Sequence, residues 1–161
     1  MPNTVVVNTS PLLYLHQINQ MELLRKLYGN IIVPPAVFQE LKAGKIKGVD
    51  VPELNSIAWI SMTAVADDTL VPAVIDLGRG EAEVIALGLE KPDSLLIFDD
   101  RLARRIADLY NLTYTGTLGV LVKAKQAGYI ASVAVAISML RTKGMWLTDK
   151  IIDDVLQLSG E

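Results

Sequence analysis

Short apolar runs alternate with helix-spaced apolar stripes along most of the chain. Thr4–Val7 is a short β-branched run, which predicts a strand buried on both faces. It stops at Asn8-Thr9-Ser10-Pro11, where Ser10 reads as a helix N-cap and Pro11 as the first helical residue. Leu12, Leu13, Leu15 and Ile18 then carry a helical stripe, and a second helix is expected from about Gln20 to Tyr28, closed by Gly29. Ile31–Val33 reads as a second strand, ended by Pro34-Pro35, with a helix opening at Pro35 or Ala36 and running through Glu40 and Leu41. The Gly-, Lys- and Pro-rich stretch Ala43–Ser56 reads as a loop. Ile57–Ala64, with Trp59, is a third predicted strand, and Asp67–Asp76 allows a short helix before Gly78 and Gly80. Glu81–Leu89 is a helix, Leu95–Phe98 a strand running into Asp99-Asp100, Leu102–Tyr110 a helix and Leu112–Tyr114 a strand. Leu118–Gln126 is a helix stopped by Gly128, and two more helices follow around Ser132–Arg141 and Asp149–Leu158.

Alternating strands and helices are the pattern of a parallel sheet covered by helices on both faces, an α/β class. At 161 residues the chain is expected to form one domain spanning 1–161, since a domain takes roughly 150 residues. The helices from about residue 129 have no strand left to wrap, so they pack on the sheet or on a second subunit. There is no internal repeat and no low-complexity segment.

Composition narrows the chemistry. The chain has no Cys and one His, which excludes disulfides, thiol nucleophiles, thiolate zinc sites and multi-imidazole zinc sites. Carboxylates, hydroxyls, amides, Lys and Arg remain, and a carboxylate metal site takes a hard ion such as Mg²⁺ or Mn²⁺. Fifteen Lys and Arg against eighteen Asp and Glu leave a net charge of −3, so any nucleic-acid contact needs a local basic rim. A hydrophobic fraction of 51% and a mean hydropathy of +0.35 are ample for a core and favour burial of further surface in an oligomer. No stretch approaches the roughly 18 apolar residues of a membrane span, and no basic segment opens a signal peptide, so the expected setting is the cytoplasm.

In open parallel sheets, ligands bind beyond the carboxyl ends of the strands. That rule selects Asn8-Thr9-Ser10, Pro34-Pro35 leading to Glu40, Asp99-Asp100, Thr115-Gly116-Thr117, and Glu81 and Glu83 after Gly78-Arg79-Gly80. The adjacent Asp99-Asp100 is the sharpest feature: two acids at a strand end need a metal or a helix N-terminus to offset their repulsion. Either acid can be an ordinary cap, and Glu81 and Glu83 can be ordinary first-turn acids. Glu40 alone reads as a solvated helical Glu, His16 as structural or surface, and Trp59 and Trp146 as core or interface. Arg101, Arg104 and Arg105 form either a solvated helix face or a phosphate-binding rim.

Taken together, these segments resemble the PIN-domain family, in the subgroup of short prokaryotic proteins related to VapC-type toxins. The resemblance covers nearly the whole chain. It rests on Val7-Asn8-Thr9-Ser10-Pro11-Leu12, Val33-Pro34-Pro35-Ala36-Val37 leading to Glu40-Leu41, Gly80-Glu81-Ala82-Glu83 before Ile85-Ala86-Leu87, Ile97-Phe98-Asp99-Asp100-Arg101, and Thr115-Gly116-Thr117-Leu118-Gly119. It implies a three-layer α/β/α fold around a mostly parallel sheet of four to five strands. It also implies an Mg²⁺- or Mn²⁺-dependent ribonuclease site and a homodimer, and for VapC relatives a toxin partnered by an antitoxin protein. Carried onto this chain, the family's acids fall at Asn8, Glu40, Glu81 and Asp99 or Asp100, with the preference for Asp100. Metal ligands would be Glu40, Glu81, Asp99 and Asp100, and Thr117 would match the hydroxyl beside the acids. The departure is Asn8, where the family usually has Asp: an amide oxygen can ligate a hard cation but brings no charge and cannot act as a base.

The implied reaction is hydrolysis of an RNA phosphodiester, with one or two ions held by Glu40, Glu81 and the Asp99-Asp100 pair. Ser10 and Thr9 would fix the loop, Ser10 and Thr117 would also meet the substrate, and Arg101, Arg104 or Lys123 would hold RNA phosphates. The alternative is a weak or inactive PIN-like module that binds RNA or a protein, motivated by Asn8. A receiver domain needs an acid pair after the first strand and a Lys after the last, and this chain has neither. A Rossmann binder needs a Gly-rich first turn, which Asn8-Thr9-Ser10-Pro11 is not.

Overall fold

The computed structural model describes residues 1–161. Five strands, β1 (Thr4–Val7), β2 (Ile31–Val33), β3 (Ile60–Met62), β4 (Ser94–Ile97) and β5 (Thr113–Thr115), form one sheet in the order β3-β2-β1-β4-β5. Every pairing is parallel, with Val6 opposite Ile32 and Val7 opposite Ile97. Eight helices cover it: α1 (Thr9–Gln17), α2 (Glu22–Tyr28), α3 (Pro35–Ile46), α4 (Arg79–Glu90), α5 (Arg101–Leu109), α6 (Thr117–Gln126), α7 (Val133–Thr142) and α8 (Asp149–Leu158). This is the expected α/β/α arrangement.

The near-continuous apolar strands work because each side of the sheet has its own core. Val5, Val7, Leu95 and Ile97 face one core with Leu12, Leu15, Leu24, Val37 and Leu121 from α1, α2, α3 and α6. Val6, Leu96 and Phe98 face the other, with Val84, Ile85 and Leu87 of α4 and Ala103 and Ile106 of α5. Period-2 alternation of Cβ direction therefore sends neighbouring valines of one strand into different cores. The C-terminal segment joins the first core through Val133, Ile137 and Leu140 of α7 and Leu147 just before α8, and both helices pack on α6. No helix is long and apolar enough to cross a membrane.

Four elements differ from the sequence pattern. α3 continues to Ile46, because Gly44 is covered by Val49 and Val51, and the true stop is Gly48 at φ +86°, a conformation glycine adopts without strain. The strand around Trp59 is only Ile60–Met62, and Asp67–Asp76 yields only a single 3₁₀ turn at Asp68–Leu70. α1 starts two residues earlier than expected, at Thr9 with Asn8 as N-cap, and the Ser10 hydroxyl is engaged with Asp99 rather than capping. Trp146 lies 84% exposed, outside the core.

Gly160, at φ +79°, turns the chain after α8 so that Glu161 reaches the start of α7. There its carboxylate accepts hydrogen bonds from Ser132 Oγ at 2.8 Å and Val133 N at 2.6 Å, and it pairs with Lys125 Nζ of α6 at 2.9 Å. These contacts, that of Lys125 above all and against an opposing push from desolvation, hold the Glu161 carboxyl at about 2 rather than the ordinary 4.5. Because the folded pKa is depressed, the clamp's stabilisation is complete above about pH 4.5 and is lost as pH falls through about 2. Glu161→Gln is therefore expected to lower the melting temperature at neutral pH. The gap to the parent protein should close as melts are taken down to pH 2, and a constant gap would contradict the clamp.

Candidate active site

The chain runs outward from β1 to one edge of the sheet and returns through β4 on β1's other side. The β1–β4 seam is thus the switch point, where two strands leave a crevice at their carboxyl ends. Asn8 N donates to Ile97 O at 2.9 Å and Phe98 N to Thr115 O at 3.0 Å, so Asn8, Asp99 and Thr117 emerge side by side.

Asp99 faces inward. Its carboxylate accepts from Thr117 N at 2.8 Å, Thr117 Oγ1 at 2.7 Å and Ser10 Oγ at 3.1 Å, the two residues sitting in the first turns of α6 and α1. Three donors and the positive ends of two helices thus surround that carboxylate. Glu40 reaches the same crevice from α3, accepting from Thr9 Oγ1 and from Gly80 N at 3.0 Å. Asn8 is 1% exposed, and its Oδ1 has no hydrogen-bond partner. An unpaired buried acceptor costs about 1–3 kcal/mol, so this oxygen is poised for a donor or a cation.

Gly80 explains how these groups come together. A Cβ there would lie 2.8 Å from Asn8 Oδ1 and 2.9 Å from each Glu40 carboxylate oxygen. The residue lies in the first turn of α4 with ordinary helical backbone, so the glycine serves space rather than conformation. α3 is itself tethered here. Its Pro34–Pro35 start offers no side-chain cap, and Glu83 of α4, 8% exposed, accepts from Ala36 N at 3.1 Å while pairing with Arg79 at 2.8 Å. Glu83 thereby fixes the helix that carries Glu40.

The other expected residues sit elsewhere. Asp100, preferred from the sequence, is the N-cap of α5: its Oδ2 accepts from Ala103 N at 2.9 Å, and the residue is exposed. The geometry assigns the inward role to Asp99, because the residue directly after Phe98 points into the crevice and the next begins the helix. Glu81 is half-buried, its carboxylate folded against Gly78 at the start of α4 rather than onto Asn8 or Glu40. Glu40, Glu81, Asp99 and Asp100 do not form one ligand set, and no three acidic or histidine side chains gather closely enough to hold an ion. Thr117, expected at the substrate, is fully buried and acts on Asp99, as does Ser10. Arg101 is exposed at the first position of α5. Lys123, 5.1 Å over the Tyr28 ring, stands near the amino end of β2 and away from the crevice. His16 pairs with Asp50 at 2.9 Å. The sequence pattern points Thr9 only to fixing its loop, and gives Gly80 and Glu83 no specific role. A glycine inside a helix just before acidic residues was the available signal for the second.

A family model, DUF3368, described as a PIN domain, matches residues 4–161. The chain belongs to the PIN-domain family. PIN domains are generally nucleases, generally use divalent metals, and the fold suggests nucleic-acid binding. Comparison with curated proteins and with solved structures returns no significant match. In this PIN domain the inward groups Asn8, Glu40 and Asp99 offer oxygen alone, and the unpartnered Asn8 Oδ1 needs an electropositive partner, so the donor set fits a hard divalent cation.

The two adjacent aspartates are separable by experiment. Asp100→Ala is expected to cost about 1 kcal/mol of stability, the worth of an N-cap, and to leave divalent-ion binding intact. Asp99→Ala should abolish ion binding, read by calorimetry with Mn²⁺ beside a chemical denaturation curve. Gly80→Ala, by overpacking the crevice, should destabilise by about 1–3 kcal/mol on the same curve.

Proposed function

We infer that this PIN domain, residues 1–161 as one unit, is a ribonuclease that works with Mg²⁺ or Mn²⁺ at the carboxyl ends of β1 and β4. The convergence of Asn8, Glu40 and Asp99 there, with an unpaired buried oxygen among them, carries the reading. The finer assignment, a toxin partnered by an antitoxin in the cytoplasm and acting as a homodimer, rests on the likeness to short VapC-type proteins. The exposed apolar side chains Val135, Met139 and Trp146 around the C-terminal helices are in keeping with a second subunit.

An ion held by Asn8, Glu40 and Asp99 would supply a Lewis acid for the phosphodiester and acidify a water. The chain's own residues do the positioning. Thr9 and Gly80 fix both oxygens of Glu40, while Thr117 and Ser10 fix those of Asp99, so neither carboxylate must reorganise when the site is filled. Asn8 contributes an oxygen with no charge, and Arg101 gives the rim a cation for the RNA backbone. Glu81, at the start of α4, stands as a rim acid beside this set.

A second reading is a weak or inactive module that binds RNA or a protein. Asn8 and the scarcity of converging acids favour it. Mn²⁺ calorimetry paired with a cleavage assay on a structured RNA pool separates the two. For a nuclease, Glu40→Ala and Asp99→Ala each remove ion binding and cleavage. Asn8→Asp should tighten Mn²⁺ about tenfold, because a charged ligand replaces a neutral one, and should raise cleavage. RNA that survives Mn²⁺ with wild type and with Asn8→Asp alike would leave the inactive module as the correct reading.

A further inference from the structure

Arg104 enters the crevice from α5 at an unusual place. Its Nε and Nη2 both donate to Phe98 O, at 3.3 and 3.2 Å, and its guanidinium lies 5.3 Å from the Tyr114 ring centroid. The head group is thus gripped along one edge and braced on one face. A guanidinium has five N–H groups. Two are spent on Phe98 O, and the other three, two of them along the Nη1–Nη2 edge, have no protein acceptor.

Gly116 admits this head group. A Cβ there would run into Arg104 Nη2 and would lie 2.6 Å from Asp99 Oδ1. Gly116 has φ −127°, which any residue adopts, so the glycine is required for room. Arg104 and Asp99 therefore flank one notch, yet they form no ion pair. The Asp99 oxygens are committed to Thr117 and Ser10. A cation beside the acids, immobilised and not neutralised by them, is suited to an incoming anion.

We propose that Arg104 is the phosphate-binding residue of the crevice, its free guanidinium edge receiving non-bridging oxygens of a nucleic-acid phosphodiester, with Gly116 holding the notch open. This deepens the nuclease reading and rests on its substrate class. A planar fork matches two phosphate oxygens at once, which an ammonium does not. Arg101 and Arg105, exposed on the same helix, add charge without this anchoring. Arg104 acts independently of an ion, so its contribution is measurable without one.

The test is fluorescence-anisotropy binding of a labelled oligouridylate in EDTA across a salt series, beside RNA cleavage in Mn²⁺. Arg104→Gln is expected to weaken binding about tenfold, and the slope of log affinity against log salt should fall by about 0.7 for the lost single-strand phosphate contact. Gly116→Ala keeps the arginine but closes the notch, and should reproduce the loss. A chemical denaturation curve for each variant separates a folding defect from a loss of phosphate contact. Arg104→Lys should keep the slope and lose affinity. Unchanged affinity and slope in both Arg104→Gln and Gly116→Ala, with wild type still cleaving, overturns the phosphate role and leaves the nuclease reading standing. Wild-type binding that depends on Arg104, without cleavage, does the reverse. No binding by the wild type overturns the phosphate role, and absence of cleavage as well removes the nuclease reading.

Discussion

Three hydrogen bonds converge on the Asp99 carboxylate, from Thr117 N, Thr117 Oγ1 and Ser10 Oγ, and the crevice is organised around them. They tie the end of β4 to the first turns of α6 and α1, so the helices that follow the last and first strands are registered against the same side chain. The charge tolerates partial burial because two helix N-termini and three donors replace its water. The same bonds restrict what Asp99 can do: its orientation is fixed, and neighbouring cations must find it as it is. Arg104, on the far side of Gly116, is held by a backbone carbonyl and a ring instead of by that carboxylate.

Space is the second constraint, and two glycines set it. Gly80 lets Asn8 and Glu40 approach the backbone of α4, while Gly116 lets Arg104 approach β5. Neither uses the conformational freedom that usually explains a glycine in a turn. Removing a side chain is the only way to bring polar groups from three elements within about 3 Å of a helix start in a core this closely packed. The polar crevice is thus paid for in volume at two positions, and Glu83 compensates for a helix, α3, that begins at two prolines with no cap of its own.

The fold was readable because its signals are local and repeated. The β-branched run at Thr4–Val7, the proline pair at 34–35 and the glycine stop at Gly128 lie where the elements change, and the parallel sheet follows from the alternation. The site was readable only as a list of strand ends. Adjacent acids look alike in sequence, but one step of chain separates the inward Asp99 from the capping Asp100, and the turn out of β4 decides between them. Glu81 and Glu83 differ the same way: helical spacing directs Glu83 toward α3 and leaves Glu81 at the rim. Gly44 misled because a helical glycine is costly in isolation, and only the covering by Val49 and Val51 shows why it is tolerated.

Charge placement resolves the conflict between an acidic protein and the anionic substrate proposed for it. The net charge of −3 is a property of the whole surface. Salt screens exposed charges over about 8 Å at physiological ionic strength, so an approaching phosphate responds chiefly to its nearest groups. At the crevice those are two carboxylates with every oxygen hydrogen-bonded, a neutral amide in place of an expected acid, and the arginines of α5. Replacing an acid by Asn8 weakens the hold on a cation and, by the same charge, lowers the repulsion felt by a phosphodiester. A fixed arginine has more effect in such a pocket than in one with an additional carboxylate, because less negative charge stands against it. On the proposed nuclease reading, Asn8 and Arg104 thus shift the balance in the same direction, away from tight metal binding and toward holding the phosphate.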